Sequence, residues 1–109
     1  MSKSIVVVHL EDVEPHDGER PLAGKSIGSD RIGFGHATYP AGVEAKGIVY
    51  NGHDELVYVL KGKCEIEFDG KTEIAGPGTL LFVPDGSSYD FKVLEELFEL
   101  LAALSPPRD

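Results

Sequence analysis

Hydrophobic and polar residues alternate with a period of two along most of this chain. The alternation is broken roughly every eight to twelve residues by Gly, Pro or Asn, the mark of short strands and tight turns. Residues 4–10 (Ser4 to Leu10) form a β-branched run and predict a first strand, or an edge strand that pairs with another subunit. Residues 11–24 are polar and hold Pro15, Gly18, Pro21 and Gly24, which predicts loop, and residues 25–29 predict a short strand. Residues 31–39 alternate Ile32, Phe34, His36 and Thr38 with small residues and end at Pro40-Ala41-Gly42. Residues 43–50 predict another strand, closed by the Asn51-Gly52 turn. Residues 55–61 and 63–69 read as a strand pair joined at Gly62, followed by an Asp69-Gly70 turn and the strand 71–75. After Gly76-Pro77-Gly78, residues 79–83 are apolar enough for a fully buried strand, and Pro84-Asp85-Gly86 turns again into the alternating 89–93.

The segment 94–104 is ambiguous on pattern alone. Leu94, Leu97, Phe98, Leu101 and Leu104 fit a helical stripe, and Leu, Glu and Ala are good helix formers. Taken together, about nine short strands and frequent turns predict an all-β sandwich or barrel. The chain has 109 residues, which suits one domain (1–109) that buries about two-thirds of its unfolded surface. Thirteen Gly and seven Pro fall singly between the apolar runs and support the many-turned reading.

Charge narrows the partners. A formal net charge of −9 repels phosphate backbones and anionic lipid, so no nucleic acid and no membrane surface is expected to bind. No apolar run approaches the ~20 residues of a membrane span, and the Ile5 to Val8 run is too short for a signal peptide. A cytoplasmic location is the expectation. The single cysteine, Cys64, excludes an internal disulfide and a multi-cysteine zinc site, and its place in an alternating strand predicts a buried structural thiol.

Candidate chemistry gathers in residues 51–62. Asn51, His53, Asp54 and Glu55 run directly into the apolar segment Leu56-Val57-Tyr58-Val59-Leu60, which stops at Lys61-Gly62. A polar cluster feeding into a strand is how a β-scaffold presents functional groups at the mouth of a cavity.

The spacing of these residues resembles the cupins, small double-stranded β-helix (jelly-roll) barrels with two motifs. In the first, a Glu is followed after six residues by Gly, as Glu55 and Gly62 are here. In the second, Gly, five residues, Pro-x-Gly and two residues precede a His, and Gly78, Pro84, Gly86 and Tyr89 match that spacing with Tyr in the place of His. The resemblance spans residues 31–107. It implies an antiparallel all-β barrel with its core at about 26–107, and it overrules the helical reading of 94–104 in favour of a strand pair bent at Glu95-Glu96. It also implies a homodimer, with the strand 4–10 at the subunit interface.

The resemblance fails at the metal ligands. Where cupins carry the two His of the first motif, this chain has Val49 and Asn51, or Ile48 and Tyr50 with the longer spacing; only Glu55 remains of the four ligands. Val49 cannot ligate, and Asn51 and neutral Tyr89 are weak ligands for a transition metal. The text Tyr50-Asn51-Gly52-His53-Asp54-Glu55 is more similar to the ethanolamine-utilisation cupins, which place Tyr-Asp-Glu before the Tyr-Val-Leu-x-Gly strand.

Glu55 is the leading catalytic candidate, because a carboxylate pointing into a barrel is desolvated and suited to acid–base work. Tyr89 is expected to face it and to orient a carbonyl or donate a proton; a core aromatic would serve equally well structurally. His53, two residues before Glu55, completes the catalytic set. His36, Asn51, Tyr50 and Phe34 are substrate-binding candidates, although a lone His on an apolar strand also fits a structural role and Asn51 fits a turn. Asp54 is expected to point away from Glu55 into solvent; His9 and His16 read as structural or surface residues.

Three functions follow from this set. The first is a cofactor-free enzyme of isomerase, lyase, cyclase or hydratase type acting on a small organic molecule, with no metal. The second is a metal-dependent cupin that uses Glu55 and His53. The third is a non-catalytic module that binds a sugar or another small molecule.

Overall fold

The computed structural model describes residues 5–9, 11 and 27–107, apart from the side chain of Glu96. Seven strands are present among them: β1 (Ile27–Gly28), β2 (Gly33–Tyr39), β3 (Glu44–Val49), β4 (Asp54–Phe68), β5 (Lys71–Ala75), β6 (Leu80–Val83) and β7 (Ser88–Ser105). Every pairing is antiparallel. No described residue lies in an α-helix.

Two long strands organise the rest. β4 and β7 pair along nearly their whole lengths, from Asp54↔Ser105 to Glu67↔Asp90. Their register shifts between Val59 and Cys64, and the two halves carry different neighbours. In one half, β2 lies beside β7 and β6 beside β4; in the other, β3 lies beside β7 and β5 beside β4. The bent pair is therefore common to both walls of a double-stranded β-helix, and the core lies between the walls.

Gly62 makes the bend possible. Its φ is +79°, and a Cβ there would stand 2.8 Å from both the carbonyl oxygen of Leu97 and the Cα of Phe98. Only a residue without a side chain fits this left-handed, closely approached position. Gly62 therefore sits inside one bent strand, not at the joint of a hairpin between 55–61 and 63–69. Residues 88–105 are likewise one strand with its irregularity near Glu95.

The core is built from the inward positions of these strands. Tyr39, Val57, Val59, Ile66, Phe91, Val93, Phe98, Leu100 and Leu104 pack into one cluster. The ring of Tyr39 meets Phe91 edge-on at 5.4 Å and lies 6.0 Å from Phe98, tying β2 to both halves of β7.

Three expectations need correction. Residues 79–83 are not a fully buried strand: Leu80 and Phe82 of β6 are exposed, because only Leu81 and Val83 turn inward. Residues 5–9 form no strand, and Ile5 to Val8 are exposed; Ser4 and Leu10 lie outside the described residues, as does nearly all of the 11–24 loop. The short strand expected at 25–29 is reduced to Ile27–Gly28 among the described residues.

Candidate functional site

Glu55 is the second residue of β4 and Tyr89 the second of β7. Strand alternation sends both inward, Glu55 from one wall and Tyr89 from the other. Glu55 is 1% exposed, the only carboxylate in the buried core among the described residues. The Tyr89 hydroxyl donates to Oε1 of Glu55 at 3.1 Å. Their positions follow from the turns in front of them: Asn51-Gly52 precedes β4, and Pro84-Asp85-Gly86 precedes β7.

Those two turns are clasped together. The Gly52 amide donates to Oδ1 of Asp85 at 2.7 Å, and the Asp85 amide donates to Oδ1 of Asp54 at 2.9 Å. Asp54 thus points away from Glu55, as the alternation requires, and it fixes the second turn. Nothing in the spacing of Asp54 and Asp85, thirty-one residues apart, announces this clasp.

Burial decides the electrostatics. Desolvation pushes the Glu55 carboxyl from its ordinary 4.5 up to about 7, against the opposing effect of the Tyr89 hydrogen bond. The Tyr89 phenol is pushed well above its ordinary value, first by burial and then by the negative field of Glu55, so it remains a donor. Burial also pushes the Cys64 thiol up to about 12, which leaves it an unreactive wall residue.

A cavity of about 530 Å³ opens beside this pair, lined by Ile66, Phe68, Leu81, Val83, Ser87 and Tyr89 among others. It shares Ile66, Leu81 and Tyr89 with an inner recess of about 30 Å³ that Glu55, Tyr39, Cys64 and Phe98 help to line. The recess is about the size of one water molecule. Apart from Glu55, Tyr89, Tyr39 and Cys64, its walls are hydrocarbon. The described residues lining both spaces include no Lys, Arg or His.

The other sequence candidates are placed elsewhere. Tyr50 is buried in the core cluster and contributes to the field at Tyr89. His53 stands half-buried at the rim, its Nδ1–H donating to the carbonyl of Pro106, so its ring does not join Glu55. Asn51 is exposed in the turn beside Gly86. Phe34 and His36 occupy the outer face of β2, because Gly33, Gly35, Ala37 and Tyr39 take the inward positions. Nε2–H of His36 donates to Glu99 Oε2 at 2.6 Å, outside the cavity. Tyr39, which sequence reasoning left aside, lines the recess; its parity with the small residues of β2 was the available signal.

Cupin barrels often hold a metal through His and Glu, and the donor set here does not fit one. Glu55 faces a neutral phenol, His53 is engaged at Pro106, and Val49 and Asn51 are exposed. Among the described residues no group of three His, Cys, Asp or Glu is placed to hold a metal ion.

A double-stranded antiparallel β-helix with its polar pair at one end of the barrel defines a cupin-type protein. The chain belongs to the family of the ethanolamine utilisation protein EutQ, whose family model matches residues 22–103. Acetate kinase EutQ of Salmonella typhimurium is 41% identical over 39 residues, which is 36% of this chain and 17% of that protein. The chain thus spans about a sixth of that relative's length. Among solved structures, KdgF from Halomonas sp. superposes with a TM-score of 0.81 at 19% identity, over 97% of each chain. The polyketide cyclase RemF from Streptomyces resistomycificus gives 0.74 at 23% identity, over 94% of this chain and 80% of that one. Both likenesses are of fold.

Proposed function

We propose that the protein is a small-molecule enzyme in which Glu55 and Tyr89 perform metal-independent acid–base chemistry, of isomerase, lyase, cyclase or hydratase type. The observation that carries this reading is a buried carboxylate, 1% exposed, held by one phenol in an apolar recess that shares Ile66, Leu81 and Tyr89 with a larger cavity. A carboxyl poised at about 7 exchanges a proton in either direction near neutral pH. Tyr89 lines both spaces, so its single O–H can turn from Glu55 to a carbonyl or alkoxide oxygen in the larger cavity, which frees the Glu55 carboxyl to take or give a proton. The surrounding hydrocarbon keeps bulk water from competing. A cyclase of the same fold, RemF, is consistent with this class of reaction.

Phosphoryl transfer, the activity in the name of the Salmonella typhimurium relative, finds less support. Such chemistry needs positive charge around the transferred group, and the described cavity lining offers no Lys or Arg.

All the proposed reaction types pass a proton to or from a carbon atom, and deuterium reports it. The purified protein, incubated in D₂O with a metabolite extract, is expected to raise the mass of a small molecule by one or more deuterons. Glu55→Gln is expected to abolish the incorporation. Undiminished incorporation by Glu55→Gln would sink the proposal.

A further inference from the structure

The larger cavity beside Glu55 and Tyr89 lies between the two walls of the barrel. Ile66 and Phe68 line it from the far half of β4, and Leu81 and Val83 from β6, all four on inward strand positions. Its volume of about 530 Å³ falls within the ~300–1,000 Å³ of small-molecule sites. The hydroxyl side chains on its lining are those of Ser87, Ser88 and Tyr89. Among the described residues the only charged side chain there is Asp69, exposed in the turn between β4 and β5. Glu55 stands in the adjoining recess.

We infer that the ligand of this cavity is an uncharged carbonyl compound with an apolar body, and that carboxylates, phosphates and sugars are rejected. The inference rests on the acid–base reading above and adds the chemical class of what is acted on. Charge argues first. A carboxylate or phosphate entering the cavity gives up its hydration, meets no cationic side chain on the described lining, and lies near the acids Asp69 and Glu55. A cation suits Asp69 but gains little, because that carboxylate is exposed and water screens its field. Hydrogen bonding argues next. A sugar brings a hydroxyl on nearly every carbon, and the hydrocarbon of Ile66, Phe68, Leu81 and Val83 leaves most of them unpaired. A single carbonyl oxygen is satisfied by one donor, and Tyr89 supplies it where the cavity adjoins the recess. The rest of such a molecule gains by leaving water for the facing apolar walls.

Equilibrium binding reads the ligand class apart from the chemistry. In calorimetric titrations of the full chain at pH 8, the neutral ring ketones 1-tetralone and β-ionone are expected to bind with dissociation constants below about 1 mM. The anions 2-naphthoate and 2-naphthyl phosphate, the cation 2-naphthylmethylammonium and glucose are each expected to bind at least about tenfold more weakly. Ser87→Lys puts a cation on the lining and is expected to tighten 2-naphthoate binding at least about tenfold. Asp69→Asn removes the acid, keeps a residue that tolerates the left-handed φ of +50°, and is expected to tighten it about threefold. Thermal melts check that both variants are folded. An anion, the ammonium compound or the sugar binding as tightly as the ketones would overturn the inference. So would ketones that fail to bind, or 2-naphthoate binding left unchanged by the folded variants. Deuterium exchange at the carbon beside the carbonyl of 1-tetralone tests the acid–base reading separately. Ketone binding with no more exchange than Glu55→Gln gives counts against that reading, while the ligand class stands.

Discussion

The hydroxyl of Tyr89 and the carboxyl of Glu55 meet across the barrel at 3.1 Å, each carried by the second residue of a long strand. The bond therefore joins the two walls at their open end. It also opposes the desolvation that raises the carboxyl pKa, since a donor to the carboxylate favours its charged form.

Stability is expected to depend on pH through Glu55. Its folded pKa of about 7 lies above the ordinary 4.5, so the folded protein holds a proton that the unfolded chain has released between those values. The contribution is complete below about pH 4.5 and is lost as pH rises through 7, a swing of up to about 3 kcal/mol. Denaturant titrations of the parent and Glu55→Gln at pH 5 and 8 check it. The parent should lose stability relative to the variant at the higher pH.

Tyr89→Phe removes the donor while keeping the ring. The Glu55 pKa should then move further above 7, because only desolvation remains, and the basic form will be populated at higher pH. If Glu55 acts as a base, the acid limb of the rate profile moves upward with it. Carbon-13 NMR of the Glu55 carboxyl reads the shift directly; a fall in pKa would contradict the assigned role of the bond.

Gly62→Ala should damage the fold rather than the chemistry. The added methyl meets backbone at 2.8 Å on two sides at a φ of +79°. A loss of at least ~2 kcal/mol is expected, or a fall in melting temperature of about 10 °C. Gly70→Ala, at φ +71° but with open space around the methyl, should cost less, and thermal melts of the pair isolate the contact contribution.

Cys64 should ignore thiol reagents in the folded protein. It is 2% exposed, and its thiol is pushed up to about 12. Labelling at pH 8 is expected only as fast as the barrel opens, so its rate should rise with denaturant in step with unfolding.

Much of the fold was written in turn chemistry. Gly62, Gly78, Pro84 and Gly86 set the spacing of the barrel, and the inward places of Glu55 and Tyr89 follow from counting along it. Residues 94–104 misled periodicity for a physical reason. Phe98, Leu100, Ala102 and Leu104 face the core while Leu97, Leu101 and Ala103 face outward, so leucines on both sides of one strand imitate a helical stripe. β6 looked buried for the same reason, being apolar on both faces. His36 and Phe34 were drawn to the cavity because their inward neighbours, Gly33 and Gly35, carry no side chain to mark the parity. The engagement of His53 with Pro106 spans fifty-three residues and left no local trace.

The sharing of β4 and β7 by both walls bears on how a ligand comes and goes. A cleft between two separate bodies can swing open about a hinge of a few residues. Here twelve registered pairs bind β4 to β7 through both halves, so the walls are continuous strands rather than two bodies joined by a short linker. Pro84, Gly86, Ser87 and Ser88 line the cavity, and the Asp54–Asp85–Gly52 clasp holds their turn in place. Loosening that clasp would change how fast molecules exchange with the interior while leaving the acid–base pair untouched.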